Sequence, residues 1–151
     1  MADQAPKKRI AIFGSTGSIG TQALEVIRAN PGLFEVEILT AQTNDELLVK
    51  QALEFKPNAV VIGDETRYQK VKEALDKTLT KVFAGEKALE EVADFDSYDM
   101  MLAGIVGFAG LKPTMKAVEK GKPVGLANKE TLVVAGDLVM QKAIEKRTPI
   151  I

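Results

Sequence analysis

The 151-residue sequence contains no cysteine and no histidine. Without cysteine there is no disulfide framework, no thiolate nucleophile and no cysteine-based metal centre. Without histidine, the commonest general base and a common metal ligand are missing. Any acid–base or metal chemistry must then come from carboxylates, lysine, tyrosine or groups outside the chain. Neither sign of charge is in excess: 20 Lys and Arg stand against 21 Asp and Glu, the net charge is −1 and the pI is near 5.6. That balance argues against nucleic acid or a membrane surface as partner. The charged start, Met1 to Arg9, has no long apolar run behind it, so it does not read as a signal peptide. No transmembrane run occurs elsewhere, which makes the cytoplasm the expected compartment. The carboxylates that are present alternate with lysines on two solvated helix faces, one at Lys70, Lys72, Glu73, Asp76 and Lys77, the other at Glu86, Lys87, Glu90 and Glu91. No carboxylate pair has a convincing catalytic or metal-ligand setting.

What is present is an ordered alternation of strand-like and helix-like segments, the signature of a doubly wound, mostly parallel sheet with helices on both faces. Residues 1–7 read as a disordered tail and 8–151 as one Rossmann-like domain, a natural size for a single core. Strands are expected near Arg9–Phe13, Phe34–Thr40, Ala59–Ile62, Lys81–Phe83, Tyr98–Ala103 and Pro123–Ala127. Helices are expected near Ser18–Ala29, from Asn44 to about Phe55, from Asp64 to about Leu75, Lys87–Ala93, Leu111–Lys120 and from Lys129 to about Lys146. Leu47, Leu48, Ala52 and Phe55 mark the buried face of the second helix. In the second strand Val36, Ile38 and Thr40 alternate with Glu35, Glu37 and Leu39, which suggests an exposed end or an edge position. Thr148-Pro149-Ile150-Ile151 reads as the opening of a further strand, so the sheet is expected to have six or seven strands and the chain to be the front part of a longer protein.

Ligands of such sheets sit beyond the carboxyl ends of the strands, which singles out the segments that follow them. The first is Gly14-Ser15-Thr16-Gly17-Ser18-Ile19-Gly20, directly after an apolar strand and before a helix. Gly14 leaves the strand where a side chain would obstruct the turn, Gly17 admits close approach of a pyrophosphate, and Gly20 lets the helix pack on the sheet. Ser15, Thr16 and Ser18 add hydroxyl donors. The same glycines also suit a plain strand-to-helix loop, and the position at the first βα unit is what favours nucleotide binding. At the end of the second strand, Thr40-Ala41-Gln42-Thr43-Asn44 holds no acid until Asp45. An acid there bonds the ribose of NAD and repels a 2′-phosphate, so its absence favours NADPH, although no Arg or Lys stands in 40–45 to clamp the phosphate.

Two further segments follow strands. Gly104-Ile105-Val106-Gly107-Phe108-Ala109-Gly110 either lies along a nicotinamide and its ribose or is a hydrophobic loop beneath a neighbouring domain. Leu126-Ala127-Asn128-Lys129-Glu130-Thr131-Leu132 reads as a capped helix start, with Asn128 the cap, Glu130 at the positive helix end and Lys129 solvated. It also reads as a site in which Lys129 meets an oxygen-rich substrate and Glu130 a cofactor ribose.

Together these three strings resemble the 1-deoxy-D-xylulose 5-phosphate reductoisomerase family over residues 8–151, its N-terminal NADPH-binding domain. The resemblance implies an enzyme of non-mevalonate isoprenoid biosynthesis that rearranges 1-deoxy-D-xylulose 5-phosphate and reduces the product with NADPH to 2-C-methyl-D-erythritol 4-phosphate. It matches Thr16, Gly17, Ser18 and Ile19 to the pyrophosphate turn, and Gln42, Thr43 and Asn44 to the adenosine 2′-phosphate loop. Asn128 and Glu130 match cofactor contacts and Lys129 a substrate contact. Many members carry a glycine and a basic residue where Gln42 and Thr43 stand. The family's divalent metal, magnesium or manganese, is held by an Asp-Ser-Glu motif beyond Ile151, so metal ligands and catalysis are expected outside this chain, as are most contacts of a homodimer. Other readings of the residues are another NADPH-dependent reductase, of semialdehyde-dehydrogenase type, and a non-catalytic dinucleotide-sensing module.

Overall fold

The computed structural model describes residues 6–105 and 110–126. Six strands, β1 (Lys8–Phe13), β2 (Phe34–Ala41), β3 (Ala59–Ile62), β4 (Lys81–Ala84), β5 (Met100–Ala103) and β6 (Val124–Leu126), alternate with helices α1 (Ser18–Ala29), α2 (Asp45–Phe55), α3 (Tyr68–Ala74), α4 (Glu86–Ala93) and α5 (Leu111–Glu119). The strands form one sheet in the order β4-β3-β2-β1-β5-β6, with every neighbouring pair parallel. Strand order therefore reverses between β1 and β5, and their carboxyl ends frame the crevice where such sheets take ligands. The expected tail residues 1–5, the helix from Lys129 and the strand at Thr148–Ile151 lie outside the described residues.

Two apolar layers cover the sheet. One joins Leu24 and Ile27 of α1, Leu48 and Ala52 of α2 and Val71 of α3 to Ile10, Ile12, Val60 and Ile62. The other joins Leu89 and Val92 of α4 and Ala117 and Val118 of α5 to Ala11, Phe13, Met101 and Val124. Successive residues of β1 thus point into opposite layers, as the pleat requires. Burial on both faces explains why β3 reads as an uninterrupted apolar run rather than an alternation.

β2 departs from its expected pattern. It lies between β1 and β3, so it is not an edge strand, although its first residues are partly exposed. Its register against β1 shifts: Ile10 pairs with Val36 and Ala11 with Ile38, leaving Glu37 as an extra residue. This β-bulge inverts the alternation. Val36, Leu39 and Ala41 end in one layer while Ile38 enters the other. A strict two-residue period had assigned Val36 and Ile38 to a common face.

The helix from Asp64 also differs. A 3-10 turn (Glu65–Arg67) comes first, with Asp64 Oδ1 accepting from the Thr66 amide at 3.0 Å, and only then α3. At the opposite end of the sheet, Arg9 grips Asp99 with Nε at 3.2 Å and Nη2 at 3.1 Å, stapling the entries of β1 and β5. The Arg9 guanidinium holds the Asp99 carboxyl below the usual carboxylate range.

Candidate functional site

The turn between β1 and α1 is confined on three sides. On the first, Gly14 adopts φ +89°, and a Cβ there would come within 2.9 Å of the Gly104 backbone at the end of β5. On the second, a Cβ on Gly20 would come within 2.6 Å of the Ser15 Cα, so α1 packs backbone to backbone on the turn. These two glycines are demanded by the protein's own packing. On the third side β2 and α2 hold it. The Gly14 amide donates to Thr40 Oγ1 at 3.0 Å, and the Ser15 amide to the Thr40 carbonyl at 2.8 Å. The Ser15 hydroxyl donates to Gln51 Oε1 at 2.7 Å, and Gln51 Nε2 returns a bond to the Ser15 carbonyl at 3.0 Å.

Ser15 is accordingly no hydroxyl donor to a ligand: it is fully buried and its hydroxyl is used inside the protein. Gln51 and Thr40 were not singled out by the sequence reading. The available signal was a polar residue at position 51, between Leu47 and Phe55 on the apolar face of α2, and a polar residue ending a buried strand.

Gly17 is different. Its φ of −79° suits any residue, and a Cβ would meet only the Gly14 carbonyl oxygen, at an ordinary 3.7 Å. Nothing in the described fold requires glycine there. Gly17 is the N-cap of α1, and no side chain caps that helix. Its first turn carries no acid, so the amides at Ser18, Ile19 and Gly20, which have no intrahelical acceptor, and the positive helix end remain uncompensated. Ile19 lies on the same turn with its side chain 41% exposed.

The segment after β2 is adjacent to this turn because β1 and β2 pair. Gln42 and Thr43 are exposed, and the Gln42 side chain lies over Gly63, filling the volume that a Cβ at 63 would occupy. Asn44 is exposed and caps α2, its Oδ1 accepting from the Leu47 amide at 3.2 Å. Asp45 is buried and faces the Arg67 guanidinium at 3.3 Å and Lys70 Nζ at 3.5 Å. Burial alone raises the Asp45 carboxyl, but the bond from Arg67 and the charge of Lys70 bring it below its ordinary value. Arg67 also bonds Asp64 Oδ2 at 3.2 Å. Gln42, Thr43, Gly63, Asp64, Glu65, Gly85 and the first residues of α4, Glu86 and Lys87, line an open groove of about 620 Å³.

Beyond β5, the Gly104 amide donates to the Phe13 carbonyl at 2.7 Å, which ties this loop to the end of β1. The half-buried Ile105 side chain packs against the core layer that contains Phe13 and Ala103. Gly14, Thr16, Gly17, Ser18, Ile19 and Gly20 therefore sit at the switch in strand order, with Gln42, Thr43 and Asn44 after β2 on one side and Gly104 and Ile105 after β5 on the other. Val106, Asn128, Lys129 and Glu130 lie outside the described residues. Among the described residues, no three acidic side chains come together to hold a metal ion, and no helix is long and apolar enough to cross a membrane.

A parallel sheet with an uncapped glycine turn at its switch point defines a Rossmann-like α/β domain, the architecture of dinucleotide-binding proteins. The sequence profile of 1-deoxy-D-xylulose 5-phosphate reductoisomerase matches residues 10–136, and the chain belongs to that family. A relative of that name from Bacteroides fragilis is 53% identical over 149 residues, which is 99% of this chain and 38% of the relative. The Zymomonas mobilis reductoisomerase in complex with NADPH superposes with a TM-score of 0.93 at 38% identity, covering 97% of this chain and 38% of that one. A reductoisomerase structure in complex with NADPH, fosmidomycin and magnesium superposes at 0.90 with 35% identity, covering 95% of this chain and 35% of that one. The chain thus spans a little over a third of the length of the relatives it matches.

Proposed function

We propose that residues 8–151 are the NADPH-binding domain of an enzyme that rearranges 1-deoxy-D-xylulose 5-phosphate and reduces the product to 2-C-methyl-D-erythritol 4-phosphate, a step of non-mevalonate isoprenoid synthesis. The observation that carries this reading is Gly17. Gly14 and Gly20 answer to the protein's own packing, whereas the third glycine has space and an ordinary backbone conformation. A missing side chain at an uncapped helix start serves a group that comes from outside, and a phosphate satisfies both the unpaired amides and the helix dipole. The NADPH-bound Zymomonas mobilis relative supports the same assignment.

In this reading Thr16, Gly17, Ser18 and Ile19 hold the pyrophosphate. The groove beside Gln42, Thr43 and Asn44 takes the adenosine with its 2′-phosphate. Asp45 does not repel that phosphate, because its buried carboxylate is turned to Arg67 and Lys70. Gly104, Ile105 and Val106 contact the nicotinamide end of the cofactor, Ile105 through its backbone because its side chain packs against the core. Asn128 and Glu130 contact the cofactor and Lys129 the sugar-phosphate substrate. NADPH, when bound, supplies the hydride for the reduction. A divalent metal (magnesium or manganese) with ligands beyond this chain, a homodimer and a cytoplasmic location complete the proposal, which makes this chain alone a cofactor binder without turnover.

Titration of the chain with NADPH and NADH tests the assignment, with NADPH expected to bind more tightly. Gly17→Val is expected to abolish NADPH binding while the far-UV circular dichroism is unchanged, since its Cβ meets no backbone closer than 3.7 Å. Equal affinity for the two cofactors, or an unaltered NADPH affinity in Gly17→Val, refutes it.

A further inference from the structure

Gln51 is a polar side chain at a core-facing position of α2, only 6% exposed, and it makes two hydrogen bonds, both to Ser15. A carbonyl can only accept, so the NH2 end of the carboxamide faces the Ser15 carbonyl and the oxygen end receives the Ser15 hydroxyl. Among uncharged side chains the pairing calls for one group that donates and accepts side by side. The bond to the carbonyl has a geometric consequence. A trans peptide is planar, and its C=O points opposite to the N–H of the next residue. Fixing the Ser15 carbonyl on Gln51 therefore turns the Thr16 N–H away from α2. Among the described residues no protein acceptor takes that amide.

We propose that Gln51 is a positioning residue of the cofactor site: through Ser15 it sets the peptide plane that aims the Thr16 amide at the pyrophosphate. This inference rests on the NADPH reading above. It adds a residue on a different element, in the interior, whose role is to hold the turn ready before ligand arrives. The Thr40 bonds fix the amides of Gly14 and Ser15, and Gln51 fixes the next peptide, so consecutive planes of the turn are set by side chains of β2 and α2. Preorganised donors of this kind gain affinity because no conformational freedom is lost on binding.

The test uses Gln51→Met, which keeps the length and apolar stem of the side chain but cannot donate to the Ser15 carbonyl. NADPH affinity is expected to fall about five- to tenfold, because both bonds between Gln51 and Ser15 are lost and the Ser15 carbonyl is no longer held. In amide NMR spectra of the full chain, the NADPH-induced shift of the Thr16 N–H should shrink while that of Ile19 persists, a selectivity that general loosening of the fold does not produce. Should Gln51→Met fail to fold, Gln51→Leu carries the same test, because it also cannot donate to the Ser15 carbonyl and places no ionisable group in the buried site. An affinity within twofold of the unaltered chain, or equal loss of the Thr16 and Ile19 shifts, overturns the proposal and leaves the NADPH reading standing. Absence of NADPH binding by the unaltered chain overturns both.

Discussion

The β1–α1 and β2–α2 connections lie side by side on one edge of the sheet, and they treat the exposed amides of their helices in opposite ways. α2 is completed by its own residues: Asn44 caps it, and Asp45 and Glu46 place negative charge in its first turn. α1 has no side-chain cap and no acid in its first turn, and its N-cap is a glycine that the fold does not need. The first helix is left unfinished where the second is closed. On the proposed reading, the difference teaches that an anion site is marked less by the presence of a helix start than by the omission of the residues that would satisfy it.

The contrast can be broken most forcibly at Gly20. A Cβ there collides with the backbone of Ser15, which cannot move without losing its bonds to Thr40 and Gln51. Gly20→Ala is expected to cost about 3 kcal/mol, the upper end for over-packing, read by thermal or urea unfolding. A cost within the noise of such a measurement means that the turn is looser than its contacts imply. Gly17→Asp is a smaller and more pointed change, since it gives α1 the kind of cap α2 already has. The helix should gain about 0.5 kcal/mol from the cap and the dipole, while NADPH binding is lost to charge repulsion. Retained binding would remove the distinction between the two turns.

The smallest effect concerns the closed turn. Asp45 has its folded-state pKa lowered, so its contribution is present above the ordinary aspartate range near pH 4 and fades as pH falls through the folded value. The melting temperature should drop on acidification below about pH 4, and Asp45→Asn should make that drop shallower. Among the described residues the remaining slope belongs to Glu54, Asp64, Asp96 and Asp99, whose carboxyls are also held below their ordinary values by hydrogen bonds and paired cations. An identical slope in the variant implies that Arg67 and Lys70 do not stabilise the carboxylate.

Much of this molecule was legible along the chain. The glycine turn, the capping by Asn44 and the limits of α1 follow from local rules, because glycine and cap preferences act over a few residues. β2 was misread for an equally physical reason. A bulge at Glu37 changes the face of each later residue, and nothing in the alternation of Val36, Ile38 and Thr40 shows an inserted residue until a partner strand supplies the register. Ser15 was misassigned because a hydroxyl in a glycine turn looks like a donor until α2 covers it.

Sequence by itself determined the alternation of strands and helices, the family and the place of the glycine turn, since these depend on neighbouring residues and on spacing. Only the tertiary structure decided which of three similar glycines is free of internal duty, and that Gln51, 36 residues from Ser15, holds the turn in shape. Such roles are set by what each atom meets across the sheet, and those distances exist only once the chain has folded.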